Sequence, residues 1–522
     1  MSEAAEGVQR PLHRWLTSIS LMLAVVIEVL DVTVANVSLP HMQASFSAST
    51  DEVTWVLTSY LVSTGVVVPM TGWLSALIGG KRLLVGSTLV FTAASALCGL
   101  AWDLPSMVLF RVMQGVGGAA LMPLSQTMIR GVFPPEQQGL GMALWGIGVM
   151  VAPILGPTLG GYLTDNYHWR WIFFINLPLG LTAAALQMAF LRPDPPSREG
   201  RAANRDYLGL LLVALSVGCL QIVLDRGERA DWFASTWVWV FTAISFASTA
   251  FFIPWELRHR EPVMDLRLLR DRSFAAAQVI TILVFIALYS NFIIFGFFLQ
   301  LLLGYPAMQA GMIMSPRGVA TMFAMLVVGM LYRRIDPRIL MAFGVTLVAA
   351  GSLAMAGWSD KVSTANMLPM LLVTGLGIGF TFVPLSTVSV SSVAEASVAN
   401  ASAIYSLMRN IGSSLGITIS STLLVRWAQV HQAALSTQVQ PTSMAAWMAG
   451  EGARAAAARG GADAATAAAQ SHALVYGMVV REANLLAFRD VFLAAGYLTL
   501  LALPCILLLR RPQALQPPGE IH

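Results

Sequence analysis

The stretch QGVGGAALMPLSQT (residues 114–127) recurs in related form as TGLGIGFTFVPLSTV (residues 374–388). A second pair, GWLSALIGGKR from Gly72 and GMLYRRIDPR from Gly329, is separated by nearly the same length of chain, about 260 positions. The first pair is apolar and glycine-rich, which is typical of membrane helices that pack closely. Because transporters are commonly built from two related halves, the repeat predicts two bundles of six helices.

The composition of the chain indicates a protein that crosses a membrane many times. Of its 522 residues, 56% are hydrophobic and only 11% are charged, whereas roughly a quarter are charged in an ordinary soluble domain. Apolar runs of about twenty residues, long enough to cross a bilayer, recur along the whole sequence. The expected fold class is therefore all-α integral membrane, and the first run should remain in the membrane as a signal anchor.

Fourteen apolar runs predict fourteen membrane-spanning helices. The predicted spans cover residues 16–39, 53–75, 83–101, 106–130, 139–162, 171–191, 207–225, 236–257, 274–302, 309–332, 339–358, 367–393, 401–424 and 489–509. The spans at 207–225 and 236–257 have no counterpart in the repeat and lie between two polar, arginine-rich connectors. They predict an inserted hairpin, so that the order is six, two and six helices.

The distribution of Lys and Arg predicts the topology. An even number of spans puts both termini on one side, and the excess of basic residues in the loops of that side marks it as cytoplasmic. The expected location is an inner membrane. The predicted segments are a cytoplasmic N-terminus (1–15), an N-terminal half (16–191), a connector with the two extra helices (192–272), a C-terminal half (273–510) and a cytoplasmic tail (511–522).

One long polar segment, residues 425–488, falls within the C-terminal half and is expected on the periplasmic side. Its alanine-rich sequence EGARAAAARGGADAATAAAQ favours helix and is interrupted by Gly460 and Gly461. The segment therefore predicts a periplasmic helical hairpin that offers a docking surface. A disordered, low-complexity loop is the alternative.

Two carboxylates interrupt the first apolar run, VVIEVLDVTVANVSLP (residues 25–40). Glu28 and Asp31 share one helical face, because positions i and i+3 lie over one another. A charge at this depth costs a few kcal/mol, so each acid must be protonated, paired or in contact with water. We expect both to be proton-coupling groups; the alternative is that they neutralise a buried arginine or, for Glu28, extend to the helix end.

Three arginines also lie well inside predicted spans: Arg111, Arg317 and Arg409. A guanidinium stays charged and needs a carboxylate, carbonyl groups or water. Arg111 is either a lock between helices or part of a proton relay, and Arg409 either pairs structurally or contacts substrate. Arg317 either attracts an anionic substrate or extends outward. The residues predicted to line a substrate cavity are Glu28, Asn36, Gln114, Tyr289, Asn291, Arg317 and Arg409.

The fifth span contains the stretch WGIGVMVAPILGPTLGGYL (residues 145–163), which is unusually rich in Gly and Pro. Such a helix can kink, hinge and pack against small surfaces. The predicted hinge consists of Gly148, Gly156, Pro157, Gly160 and Gly161, with ordinary tight packing as the alternative. No phosphate-binding loop and no metal-ligand spacing of His or Cys occurs in the sequence. We therefore expect neither an enzyme nor a cofactor or metal site.

Several motifs in order resemble one family of transporters. LDVTVANVSLP, GWLSALIGGKR, RVMQGVGGA and GPTLGG are similar to signatures of the major facilitator superfamily. DNYHWRWIFFINLPLG and LQIVLDRGERADWF resemble, more narrowly, its fourteen-span drug:proton antiporters of the EmrB type, which are multidrug efflux subunits. The resemblance covers residues 16 to 510. It departs from the superfamily pattern at Ala76, where an acid is usual.

The resemblance implies roles for particular residues. Asp31 would be a proton-coupled or substrate-facing acid, Arg111 a relay or gating residue, and the Gly/Pro stretch a hinge that favours export. The cytoplasmic loop motif would comprise Gly72, Gly79, Gly80, Lys81 and Arg82. The family also implies a periplasmic adaptor protein and an outer-membrane channel as partners.

Together these features predict a proton-coupled antiporter that exports amphipathic or hydrophobic drugs by alternating access, as part of a tripartite efflux pump. Two other functions stay open at the level of sequence. A proton symporter that imports a metabolite would use the same buried acids. A membrane sensor that transports nothing would not need titratable acids at the membrane centre.

Overall fold

A computed structural model of the chain describes residues 11–134, 137–192, 206–259, 262–332, 334–391, 397–438 and 464–509, together with isolated positions 393, 451, 452, 454, 455 and 459. Within these residues all regular structure is helical. The predicted C-terminal tail lies outside the described residues, as do most of the predicted N-terminus and most of the first polar connector, whereas nearly all of the second connector is described.

Six helices form a first bundle. They are α1 (Leu12–Phe46), α2 (Trp55–Ile78), α3 (Gly80–Leu100), α4 (Leu104–Val132), α5 (Gln138–Asn166) and α6 (Trp171–Phe190). Helix α2 contains a short 3₁₀ turn, Val68–Met70, at Pro69, which cannot donate a backbone hydrogen bond. Gly79 separates α2 from α3 with a φ of 92°, a conformation that favours glycine.

Two further helices, α7 (Tyr207–Arg226) and α8 (Thr236–Arg258), form a hairpin after the first bundle. The second bundle follows, with α9 (Arg272–Leu302), α10 (Met308–Leu331), α11 (Pro337–Met355), α12 (Thr364–Ser389), α13 (Val398–Gln438) and α14 (Ala464–Leu500, continued by Ala502–Ile506). The observed order is therefore six, two and six helices, as the sequence predicts.

Polar side chains mark the ends of several helices. Asp103 caps α4, since its Oδ1 accepts a hydrogen bond of 2.9 Å from the Ser106 backbone N–H. Hydrogen bonds from the Ser106 hydroxyl and backbone lower the pKa of this exposed carboxyl. Asp206 and Asp271 cap α7 and α9 in the same way, through the backbone N–H groups of Gly209 and Phe274.

Thirteen of the fourteen helices are long and apolar enough to cross a membrane. The remaining long helix, α13, has 41 residues and carries polar side chains along its length, including Arg409 and Arg426. It packs against α9 and α14 in the second bundle. Its lower hydropathy agrees with a helix that faces other helices more than lipid.

Helix α13 is longer than predicted, and it ends fourteen residues beyond the predicted span 401–424. Helix α14 likewise begins well before the predicted span 489–509. Both extensions enter the segment 425–488, where the alanine-rich composition favours continued helix. His431 Nε2 and Asp490 Oδ2, 2.7 Å apart, join the two helices. The centre of this segment lies largely outside the described residues.

The two bundles meet at a seam, which we define as the contact surface between α1–α6 and α9–α14. At the end of the molecule where α1 begins, Trp145 of α5 stacks on Phe382 of α12 with ring centroids 5.7 Å apart. A Cβ atom on Gly72 of α2 would lie 3.1 Å from Cα of Asn400 on α13. The seam is therefore closely packed at this end.

The inserted hairpin contacts both bundles through α7. On the first bundle, the Thr58 hydroxyl donates to Asp225 Oδ2. On the second bundle, Gln221 Nε2 donates to Ser414 Oγ at 2.7 Å, and the Thr418 hydroxyl donates to the Leu224 carbonyl at 2.7 Å. Helix α7 thus lies between α2 and α13 and is hydrogen-bonded to each.

Candidate functional site

Asp31 lies at the centre of the first bundle and binds side chains from two other helices. The residue is only 2% exposed. Its Oδ1 accepts hydrogen bonds from Gln114 Nε2 at 2.8 Å and from Asn176 Nδ2 at 2.9 Å. Its Oδ2 pairs with Arg111 Nη1. The carboxylate of α1 is thereby connected to α4 and α6.

Arg111 extends this network to α2. Its Nε donates to the Val56 carbonyl at 2.8 Å, and its Nη1 also donates to Gln114 Oε1 at 2.9 Å. The guanidinium lies over the ring of Tyr60, 4.5 Å from the centroid, and 5.7 Å from the ring centroid of Phe173. Such faces attract a cation. Arg111 is completely buried, and its contacts join α4 to α1, α2 and α6.

Asn176 is a member of this network that sequence reasoning missed. Its Nδ2 bonds both Asp31 and the hydroxyl of Ser95, 3.0 Å away. The only signal in the sequence was an amide inside the apolar stretch FFINLPLG. An amide is far less costly in a membrane than a charge, so it does not stand out as Asp31 and Arg111 do.

Gln114, which the sequence analysis assigned to a substrate cavity, lies instead inside the first bundle. It is completely buried and bonded to both Asp31 and Arg111. Its role here is to orient the ion pair. Removal of one partner of a buried ion pair leaves an uncompensated charge, which is strongly destabilising.

Glu28 lies one turn before Asp31 on α1 but has different neighbours. It is 8% exposed, and its Oε2 has no hydrogen-bond partner among the described residues. Its charge interacts with the backbone of Met122 on α4, with the guanidinium of Arg409 on α13 and with Tyr60 on α2. Glu28 of the first bundle therefore faces the seam, where an arginine of the second bundle approaches it.

Other polar side chains on α4 and α13 are buried without partners in the described residues. On the first bundle both polar atoms of the Gln126 side chain lack a hydrogen bond, and on α13 the hydroxyls of Ser402, Tyr405 and Ser406 lack one. The second part of α4 packs directly against α13. Buried polar groups of this kind are costly unless water or a ligand reaches them.

The other residues predicted to line a cavity are dispersed. Asn36 and Tyr289 are exposed, and Tyr289 stacks on Phe285 with centroids 6.4 Å apart. Asn291 is buried in the second bundle, where its Oδ1 accepts from the Ser352 hydroxyl at 2.9 Å. Arg317 is buried on α10, away from the Asp31 network. The structure thus brings together Asp31, Arg111 and Gln114, and separately Glu28 and Arg409.

Three glycines of the predicted hinge, Gly148, Gly156 and Gly160, pack against α1. A Cβ atom on Gly156 would collide with the Thr33 side chain, 2.7 Å from its Cβ, and one on Gly160 would lie 3.0 Å from Val34 Cγ1. At Gly148 the nearest atoms of Met22 are at ordinary contact distance, and Gly161 faces open space. Helix α5 continues through this stretch. The side chain of Pro157 lies outside the described residues.

The residues of the predicted loop motif lie at the tightly packed end of the seam. Lys81 Nζ donates to the carbonyl groups of Met188 and Leu191, each at 2.8 Å. Gly80 begins α3, Arg82 follows Lys81 in its first turn, and Gly79 makes the preceding turn. Gly72 permits the close approach of α13. The motif thereby connects α2 and α3 with the end of α6 and with the second bundle.

Comparison with known proteins gives one consistent family. Residues 21–417 match the model of the Major Facilitator Superfamily. Over 500 residues the chain is 32% identical to the fatty acid resistance protein FarB of Neisseria gonorrhoeae, with 95% of this chain and 96% of that protein covered. Over 428 residues it is 34% identical to the multidrug export protein EmrB of Escherichia coli K12, with 81% and 83% covered.

Two solved structures have a similar fold. The human organic anion transporter MFSD10 (TETRAN) matches with a TM-score of 0.61 at 13% identity, over 94% of this chain and all of that one. The proton:xylose symporter XylE matches with a TM-score of 0.56 at 14% identity, over 81% of this chain and 91% of the symporter. At such low identity these matches establish the arrangement of helices and nothing about substrate.

Proposed function

The chain belongs to the Major Facilitator Superfamily, and on that premise we propose that it is a proton-coupled antiporter that exports amphipathic or hydrophobic compounds. Its relatives include proteins named for multidrug export and for fatty acid resistance, which supports export over import. Alternating access of the two bundles around the seam is the mechanism that we assign to it.

The observation that carries this proposal is the position of Glu28. Its carboxylate is buried at the seam with a free oxygen, and Arg409 of the opposite bundle acts on it. When Glu28 is ionised, its charge attracts Arg409 and favours contact between the bundles. When Glu28 is protonated, this attraction is lost. Proton binding at Glu28 therefore biases the separation of the bundles, which is what coupling requires.

Asp31 and Arg111 have a different part in the same proposal. Their charges are already paired with each other inside the first bundle. We assign to Asp31 and Arg111 the coupling of this bundle's helices to the state of the seam, and to Glu28 the direct exchange of protons with a cavity.

We also propose an orientation of the protein in the membrane and the partners that it contacts. We place the protein in a bacterial inner membrane with both termini in the cytoplasm, because basic residues concentrate in the loops on the side of the termini. The tightly packed end of the seam is then cytoplasmic. The extended ends of α13 and α14 are periplasmic and are our candidate surface for an adaptor protein that connects to an outer-membrane channel.

The test uses purified protein in vesicles whose lumen contains an amphipathic fluorescent dye. Acidification of the outer medium should accelerate dye efflux through the wild-type protein, and a protonophore should abolish the acceleration. Glu28→Gln should bind dye but lose the acceleration, since it cannot be ionised. The matched control is Glu52→Gln, which changes an exposed acid in the loop between α1 and α2. This variant should behave like wild type.

The direction of the change in dye efflux distinguishes an antiporter from the two other functions. A proton symporter would retain dye in the vesicle lumen under the same inward proton gradient. A membrane sensor would leave efflux equal to that of protein-free vesicles. Either outcome, or full acceleration in Glu28→Gln, would refute the proposal as stated.

A further inference from the structure

Arg317 is a buried cation without a counter-ion among the described residues. The residue lies on α10, near the middle of the helix, and is 6% exposed. Its Nη1 has no hydrogen-bond partner among the described residues, and no carboxylate in that part of the chain acts on it. An arginine at the centre of a membrane helix costs about 2.5–3.5 kcal/mol even on insertion scales. Its low exposure also rules out the outward extension that the sequence left open.

The internal repeat identifies which residue occupies this position in the first bundle. Tyr60 precedes Gly72 by as many residues as Arg317 precedes Gly329, the glycines that begin the second repeated motif. The contacts agree with this alignment. The Thr64 hydroxyl donates to the Gly115 carbonyl at 3.3 Å, and the Thr321 hydroxyl donates to the Gly375 carbonyl at 2.9 Å.

The packing of the repeated glycines agrees as well. A Cβ atom on Gly115 would lie 2.7 Å from the Tyr60 carbonyl oxygen and also meet Ser63. A Cβ atom on Gly375 would meet the Arg317 carbonyl oxygen and lie 2.9 Å from Ala320 Cβ. Tyr60 and Arg317 therefore occupy equivalent places in the two bundles.

The chemistry of the two places is opposite. In the first bundle Tyr60 supports Arg111, whose charge is neutralised by Asp31. In the second bundle the position that corresponds to Arg111 is Leu371, and the guanidinium comes from Arg317 instead. Ser352, the counterpart of Ser95, bonds the amide of Asn291. The second bundle thus retains a buried cation but has no acid in the described residues to neutralise it.

We propose that Arg317 is a specificity-determining residue that binds the carboxylate of anionic amphiphiles carried by this protein. A planar guanidinium matches a carboxylate with two parallel hydrogen bonds, which makes this pair stronger and more selective than a single contact. Gly318, the next residue, packs against the apolar side chain of Ile154 on α5, so Arg317 lies beside the seam. Arg409 is less suited, because its charge already acts on the carboxylate of Glu28. This inference rests on the proposed export function, under which the bound amphiphile is a transported substrate.

The experiment measures equilibrium binding to the full-length protein in nanodiscs, with decanoate and decylammonium as ligands of equal chain length and opposite charge. Arg317→Gln should weaken decanoate binding by roughly ten- to hundredfold, the loss expected when a hydrogen-bonded charge pair is removed. Its binding of decylammonium should not weaken. The control Arg426→Gln removes an exposed arginine and should match wild type for both ligands.

A second variant keeps the test decisive if Arg317→Gln does not fold. Arg317→Lys retains the charge but not the planar fork, and should bind decanoate severalfold more weakly than wild type. Unchanged decanoate affinity in the folded variant, or equal loss for both ligands, would overturn the assignment. Because binding is measured without a proton gradient, the result is independent of the dye-efflux experiment, and either proposal can fail alone.

Discussion

At the scale of single residues, two acids one turn apart on α1 have different electrostatic surroundings. Asp31 is enclosed by Arg111, Gln114 and Asn176 within one bundle. Glu28 has an unbonded oxygen at the seam and an arginine of the other bundle as its charged neighbour. A charge in a low-dielectric interior must be compensated locally, and of these two acids Asp31 is the one with a directly paired guanidinium among the described residues.

The pairing of Asp31 with Arg111 predicts a specific pattern of stabilities. Asp31→Asn should destabilise the protein by about 3–5 kcal/mol, because it leaves the Arg111 charge buried without its partner. The double variant Asp31→Asn with Arg111→Gln should be more stable than Asp31→Asn alone, since it removes the unpaired charge. Thermal unfolding midpoints of the purified proteins in detergent check both statements. Additive losses in the double variant would argue against a direct pair.

At the scale of elements, the glycines of α5 permit α1 to approach closely. The Thr33 side chain occupies the place where a side chain at Gly156 would begin, whereas Gly161 faces open space. Packing therefore requires glycine at position 156, whereas no contact requires glycine at position 161. The hinge predicted from the same stretch stays a prediction, because helix α5 runs through it without a break.

Alanine substitutions separate these two positions. Gly156→Ala should destabilise the protein by about 1–3 kcal/mol, the usual cost of overpacking, and should slow transport. Gly161→Ala should be neutral or stabilising by up to about 1 kcal/mol, because alanine is the better helix former. Unfolding midpoints and dye efflux of both variants provide the measurement. Equal effects at the two glycines would contradict the observed packing.

At the scale of the whole molecule, the two bundles are closely packed at the end where α1 begins. Trp145 stacks on Phe382 there, and Gly72 allows α13 to approach at Asn400. Helix α7 of the inserted hairpin bonds α2 on one side and α13 on the other. A transport cycle of alternating access requires the packed end to open, so contacts such as that between Gly72 and Asn400 should form and break in each turnover.

A reversible cross-link tests this requirement. In a background with Cys505→Ser, Gly72→Cys together with Asn400→Cys places two thiols close enough for a disulfide, whose Cβ atoms must lie about 3.5–4.5 Å apart. Oxidation should stop dye efflux, and reduction should restore the rate of the reduced double variant. Each single-cysteine variant with oxidant is the control. Undiminished efflux in the fully cross-linked protein would mean that this end does not open.

Much of this protein could be predicted from local sequence. Long apolar runs determined the helical membrane fold, and the repeat determined the order of six, two and six helices. The predicted spans 207–225 and 236–257 correspond to the observed helices α7 and α8. Glu28, Asp31, Arg111 and Arg317 were recognisable because a charge in an apolar run is conspicuous. Each of these signals is contained within one stretch of sequence or a comparison of two stretches.

Only the tertiary structure decided which charges neutralise one another. Asp31 pairs with Arg111 from α4 and with Asn176 from α6, Glu28 faces Arg409 from the other bundle, and Arg317 meets no acid in the described chain. Pairing depends on how helices far apart in sequence cross, and on which side of each helix faces the crossing. The sequence shows that a buried charge needs a partner. Only the packing of the helices determines whether the chain supplies that partner or a ligand must supply it.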